Sequence, residues 1–170
     1  MQIIVFLGKV LIEMDVIHEK KNGIIIMDKK RFKRTKGKVI KSGSKKIKTG
    51  DHILFFPTKG VIMEGKCLID EKDIVLILKN KGMKVLGERV IIEPEMSADT
   101  VGGIKLSDAH RELLPKGKIL KLSNMVVDLR EGDEVLFDKD RAMNITPYEI
   151  SEYKGRNIFL VKRQDILAVL

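Results

Sequence analysis

The sequence holds one cysteine, no tryptophan, two tyrosines, six phenylalanines and four prolines. A lone cysteine, Cys67, excludes an intrachain disulfide and points to a reducing, cytoplasmic compartment. With so few aromatic rings, a base-stacking platform for single-stranded nucleic acid is poorly supplied. Three scattered histidines, His18, His52 and His110, give no zinc-ligand spacing and no nucleophile beside a base, so neither a metal site nor an enzyme is expected. Neither a GxxxxGK[ST] phosphate loop nor a GxGxxG fingerprint occurs, which argues against nucleotide bound by this chain. No uncharged run approaches the roughly 18 residues that span a bilayer. The apolar opening MQIIVFLGKVLIEMD is broken by Lys9 and lacks both a basic leader and a small-residue cleavage site, so it reads as a strand rather than a signal.

Charge is plentiful and uneven. Of the net +9, all arises in residues 1–80, with 18 Lys and Arg against 9 Asp and Glu; residues 81–170 balance at 15 each. Between Lys29 and Lys48 there is no acid at all. Such a segment fits a solvated strand face as well as a surface for an acidic partner. The stretch KGKVIKSGSKKIKTGDHILFF therefore supports an alternative reading, an RNA-binding protein built from tandem small basic barrels of the KOW or OB kind.

The chain repeats itself. GKVLIEMD (Gly8 to Asp15) returns as ERVIIEPE (Glu88 to Glu95), NGIIIM (Asn22 to Met27) as GGIKLS (Gly102 to Ser107), and KGKVIKSG (Lys36 to Gly43) as KGKILKLS (Lys116 to Ser123), all 80 residues apart. TGDHILFF (Thr49 to Phe56) then answers EGDEVLFD at a spacing of 82, and DIVLIL (Asp73 to Leu78) answers DILAVL at 92. Five pairs in one order argue for a duplicated unit.

Each copy consists of short β-branched runs punctuated by Gly, Asp, Asn and Ser, without sustained helical periodicity. The expected fold is all-β, two tandem small β-barrels over residues 1–80 and 81–170, joined by the linker KNKGMKVLG (Lys79 to Gly87). Gly50-Asp51 and Gly132-Asp133 mark tight turns before a strand.

Each copy also carries a long polar segment between its first strand and its KGKV or KGKI strand, and such loops in a compact barrel are usually functional or disordered. Within each lies one apolar tripeptide after a glycine, Ile24-Ile25-Ile26 and Ile104-Lys105-Leu106. Taken alone, either tripeptide reads first as a core strand. The succession RVIIEP, a loop with GGIKL, GKILKLS, EGDEVLF and a closing DILAVL resembles the GroES-type co-chaperonins, the ten-kilodalton chaperonin family. The resemblance runs over Val85 to Leu170 and, more weakly, over Ile3 to Leu78, as a tandem duplication of the GroES-like domain.

The resemblance implies a partner, the apical domains of a GroEL-type ATP-dependent chaperonin, which would bind the ATP; this chain would need no cofactor. It implies that mobile loops make the contact, through Gly23, Ile24, Ile25, Ile26 and Met27 in the first copy and Gly102, Gly103, Ile104, Lys105 and Leu106 in the second. It further implies a ring-shaped homo-oligomer that assists unfolded client proteins indirectly, with terminal strands at the subunit interface: Val90, Ile91 and Ile92, and Ile166, Leu167 and Val169. Two features depart from the family. Lys105 stands where a small aliphatic residue is usual, and an alternating extended strand lets its ammonium stay solvated between Ile104 and Leu106. Only SGSKKIKT and SNMVVDLRE occupy the place of a roof hairpin, so a short or absent roof and an open centre are expected.

Overall fold

The computed structural model describes residues 4–17, 20–21, 24–25, 31–56, 60–79, 82–97, 100–101, 104–105, 113–146 and 150–170. The chain divides into two compact units, Met1–Leu86 and Gly87–Leu170. Among the described residues, each is built of strands with short 3-10 turns and forms a small, β-barrel-like body.

Unit 1 contains β1 (Lys9–Ile17), β2 (Lys20–Lys21), β3 (Ile24–Ile25), β4 (Arg31–Ser42), β5 (His52–Phe55), β6 (Val61–Met63), β7 (Lys66–Asp70), β8 (Ile74–Lys79) and β9 (Gly82–Val85). Its main sheet runs β6-β7-β1-β4-β5-β8-β9. Unit 2 contains β10 (Arg89–Met96), β11 (Thr100–Val101), β12 (Ile104–Lys105), β13 (Leu113–Leu122), β14 (Glu134–Phe137), β15 (Met143–Asn144), β16 (Phe159–Lys162) and β17 (Ile166–Val169). Its main sheet runs β15-β16-β10-β13-β14-β17. The two orders coincide strand for strand, except that β9 adds a seventh strand to unit 1.

The correspondence extends to irregularities. β1 pairs β4 with register shifts at Leu11/Ile12 and Met14/Val16; β10 pairs β13 with shifts at Ile91/Ile92 and Pro94/Met96, 80 residues on. Each second bulge is crossed by a glycine for a steric reason. A Cβ on Gly37 would lie 2.3 Å from the Glu13 carbonyl oxygen, and one on Gly117 would lie 2.6 Å from that of Glu93. The Gly-Asp turns match as well. Gly50 and Gly132 have φ of +93° and +96°, and each donates its N–H, at 2.8 Å, to the carbonyl of Val39 or Ile119. Asp51 and Asp133 each accept, through Oδ2, the N–H of Lys48 or Arg130 at 2.8 Å.

Alternation along these strands buries one face of each sheet. Val10, Ile12, Val39, Ile47, Ile53, Phe55, Ile69 and Ile74 form the core of unit 1, and Val90, Ile92, Ile119, Leu129, Val135, Phe137, Val161 and Ile166 fill the equivalent places in unit 2. Between β4 and β5, and between β13 and β14, the chain turns without a further strand.

The division of the chain differs from the expected 1–80 and 81–170. Most of the expected linker is strand: β9 folds back on β8, pairing Leu76 with Val85 and Lys79 with Gly82. Met83, Val85 and Leu86 become buried, so the stretch seals the edge of unit 1 and the boundary falls after Leu86.

Candidate functional site

The loops that carry the two tripeptides leave the sheet at the same place. In unit 1 the β1–β4 ladder resumes after its second bulge at Val16 opposite Phe32 and Ile17 opposite Arg31; in unit 2 it resumes at Met96 opposite Leu113. Beyond this stem each loop holds, among the described residues, one hairpin of two-residue strands. Lys20 faces Ile25 and Lys21 faces Ile24; Thr100 faces Lys105 and Val101 faces Ile104. The two hairpins thus share one register, 80 residues apart, and in both the returning strand opens the apolar tripeptide. Gly23, Ile26, Met27, Gly102, Gly103 and Leu106 lie outside the described residues.

The stems differ in charge. In unit 2, Lys116 on β13 lies 3.0 Å from Glu95 on β10 and 3.4 Å from Glu134 on β14, tying three strands at the base of the loop. Both carboxylates raise the pKa of its ammonium. Two residues back along β10, away from the loop, Glu93 accepts two hydrogen bonds from Arg156, that from Nε at 2.7 Å, and the guanidinium lies 5.6 Å from the centre of the Tyr153 ring. That arginine holds the Glu93 carboxyl below the usual carboxylate range, against the opposing effect of desolvation. The unit 1 equivalents of Glu95, Lys116 and Glu134 are Asp15, Lys36 and His52, and among the described residues no ion pair joins these three. Among the described residues, unit 1 is bridged instead by Lys9 with Asp70, at 2.6 Å.

The predicted interface residues separate into two groups. Val90, Ile91 and Ile92 are fully buried on β10, which is paired on both sides, by β13 and β16, so neither side chains nor backbone are open to a neighbouring chain. This corrects the expectation for that strand: a run of three apolar residues suits an interior strand as well as an interface, and the interior wins. Ile166 is buried too, in the core of unit 2. Leu167 and Val169 are exposed, on the outer strand β17. Strand β9 was not expected, yet a signal for it exists in the pair Leu7-Gly8 and Leu86-Gly87, each preceding a copy of the first long strand.

Among the described residues no group of His, Cys, Asp and Glu could hold a metal ion, and no helix is long and apolar enough to cross a membrane. Burial raises the pKa of the Cys67 thiol.

A barrel-like unit with a long loop between its first two paired strands, carrying a short hairpin, defines a class of small β-domain. Comparison with known proteins gives the class its family. The model for the family described as "Chaperonin 10 Kd subunit" matches residues 82–170, and the chain belongs to that family. Similar curated proteins bear the name "Co-chaperonin GroES". That of Lactobacillus delbrueckii subsp. bulgaricus is 33% identical over 98 residues, covering 52% of this chain and 98% of the relative. That of Bacillus subtilis is 30% identical over the same coverage. That of Listeria monocytogenes is 34% identical over 97 residues, 51% of this chain and 97% of the relative.

Proposed function

We propose that the chain is a tandem co-chaperonin, a duplicated pair of GroES-like domains that caps a GroEL-type chaperonin by docking Ile24–Ile26 and Ile104–Leu106 on its apical domains. The observation that carries this reading is the equivalence of the two loop hairpins, in the same register and at the same place in two units of one fold. A duplicated core alone would follow from packing. A duplicated apolar tripeptide within a polar loop, which packing of the barrel does not require, is better accounted for by a shared partner.

The physics suits the role. A loop that orders on binding gives up part of its interaction energy, so each contact is weak and releasable. Several loops on one assembly recover affinity through effective concentration. In the second tripeptide Ile104 and Leu106 would enter the apolar groove while Lys105 points to water, as the alternation of an extended segment allows. The ATP that drives the cycle belongs to the partner, and clients are assisted without being bound tightly by this chain. The unroofed connections between β4 and β5 and between β13 and β14 fit a lid with an open centre.

The test separates the loops. Variants carrying Ile24→Asp with Ile26→Asp, or Ile104→Asp with Leu106→Asp, are co-sedimented with a GroEL-type chaperonin and ATP. We expect each to weaken binding at least tenfold, because each removes two buried aliphatic side chains worth about 1.5 kcal/mol or more apiece. Undiminished binding by both variants would sink the docking assignment.

A further inference from the structure

The main sheets of the two units end alike on one side, with β6 outermost in unit 1 and β15 outermost in unit 2. Paired positions carry the comparison across each sheet. In unit 1 one row runs Ile62, Cys67, Ile12 and Val39, and its counterpart in unit 2 runs Asn144, Phe159, Ile92 and Ile119. Val39, Ile12 and Cys67 are at most 1% exposed, whereas Ile62, last in its row, is 43% exposed. A core row thus runs out to the rim of unit 1 and stops there uncovered.

Unit 2 finishes the same rim differently. Its outer strand is two residues long and ends on polar Asn144, whose Oδ1 accepts the Thr146 N–H at 2.9 Å. Ile145, the counterpart of Met63, donates its N–H to the Ile158 carbonyl at 3.0 Å and is fully buried. In unit 1 the longer connection is missing: Met63 and Lys66 flank a two-residue turn, Glu64-Gly65, with φ of +44° and +81°. Strand β6 is Val61-Ile62-Met63, 62%, 43% and 39% exposed, with no charge, proline or bulge to guard it. The pair that flanks a two-residue turn exchanges both of its hydrogen bonds, so alternation directs the N–H and C=O of Ile62 away from β7. Among the described residues no strand takes them up.

We propose that β6 of one copy pairs antiparallel with β6 of a second copy across a twofold axis at Ile62, joining two unit 1 sheets into one. Ile62 then exchanges both hydrogen bonds with its own counterpart, and Val61 lies opposite Met63 in both directions. A second copy is the fitting occupant because the edge is complementary to itself: the central residue is the one whose two backbone groups both face outward. The core row becomes continuous, with Ile12, Cys67 and Ile62 of one copy meeting Ile62, Cys67 and Ile12 of the other. On the opposite face Met63 of one copy meets Val61 of the other and, beyond it, Leu68. The next positions set Glu64 opposite Gly60, so no like charges are brought together. Such a contact is isologous and closes at two copies. At three residues a side it is smaller than a standard interface, and it gains from repetition where several chains are already assembled. The joint needs no chaperonin and does not depend on the proposed function.

Two full-length chains, Cys67→Ala with Val61→Cys and Cys67→Ala with Met63→Cys, are oxidised separately and as a mixture, then run on a denaturing, non-reducing gel. In the proposed register Val61 and Met63 of different copies have Cα atoms about 4.5 Å apart, within disulfide reach, while two copies of Val61 lie about 7–8 Å apart, beyond it. We expect a covalent dimer from the mixture and at least about fivefold less from either chain alone. Ile62→Lys, which places two charges at the axis, is expected to halve the parent's oligomeric mass in native mass spectrometry and to leave its circular dichroism unchanged. A mixture that cross-links no better than its components, or an Ile62→Lys chain that keeps the parent's mass, would overturn the proposal. So would preferential cross-linking of the Val61→Cys chain to a permanently unfolded, cysteine-bearing polypeptide, which would assign the edge to an extended foreign segment.

Discussion

Units 1 and 2 share six strands in one order, two bulges, a crossing glycine and a Gly-Asp turn apiece, yet they differ in charge, in ion pairing and in how one edge is finished. The features held in common are those where backbone meets backbone. Those that differ are side chains facing water and a strand added at the rim. Geometry at the bulges is therefore what makes the barrel-like unit, and its surface is free to diverge once that geometry is in place.

The largest expected effects test that division. A side chain at Gly37 or Gly117 would strike backbone on the paired strand and the Cγ2 of Ile12 or Ile92, none of which can retreat without opening the central ladder. Gly37→Val and Gly117→Val are each expected to destabilise their own unit by about 3 kcal/mol or more, measured by denaturant unfolding. Gly132→Ala, which strains only a left-handed turn and brings its Cβ no nearer than 4.0 Å to Lys118 Cε, should cost about 1–2 kcal/mol. If either valine is tolerated as well as the alanine, close approach does not define the fold.

Strand positions, turns and the internal repeat were legible in the sequence because they depend on alternation and on glycines whose spacing recurs. Three parts were not. Gly82–Val85 read as a linker because lysines stand within and beside it and its burial comes wholly from the edge of β8, a tertiary fact. Val90–Ile92 read as an interface because apolarity does not say which side of a sheet is covered. Apart from the local Arg141–Asp138 pair, the described ion pairs of unit 2 join residues 18 to 63 positions apart, Lys116 with Glu134 and Glu93 with Arg156 among them, and no local pattern announces them.

A medium effect concerns charge. On one cross-strand row, unit 1 places Lys66, Glu13, Lys38 and His52, while unit 2 places Glu93, Lys118 and Glu134, so the balance of the row shifts from basic to acidic. The turn after β4 adds Lys45, Lys46 and Lys48, where unit 2 has exposed Met125 and Val127 between Ser123 and Arg130. Unit 1 should attract a duplex DNA probe weakly, without sequence preference, and unit 2 should not. Lys45→Glu, Lys46→Glu and Lys48→Glu together are expected to abolish that attraction at low salt, and each lysine–phosphate pairing they remove should lower the salt-dependence slope by about 0.9. Attraction that survives the triple change would place the basic surface elsewhere.

The smallest effect isolates one exchanged pair. In unit 2, Asp128 of the turn after β13 accepts two hydrogen bonds from Arg163 Nε, each at 2.9 Å, and the arginine holds its carboxyl below the usual carboxylate range. The equivalent positions of unit 1 carry Lys46 and Glu71, with the charges swapped. Because the folded pKa of Asp128 is lowered, its contribution to stability is present above the carboxyl's unfolded pKa and is lost as pH falls through the folded value. Arg163→Gln should return Asp128 to the ordinary aspartate range in a carbon-detected NMR titration, and so move its protonation to higher pH. The effect on unfolding should be small and reduced by salt, since both groups face solvent. The sharper comparison is the double change Lys46→Asp with Glu71→Arg, which imports the unit 2 pair into unit 1. If the two connections share one backbone path, as the common placement of Ile47 and Leu129 in their cores implies, the carboxyl introduced at position 46 should titrate as low as that of Asp128. An ordinary titration there would mean that the turns differ in path and that the equivalence of the units stops at the sheet.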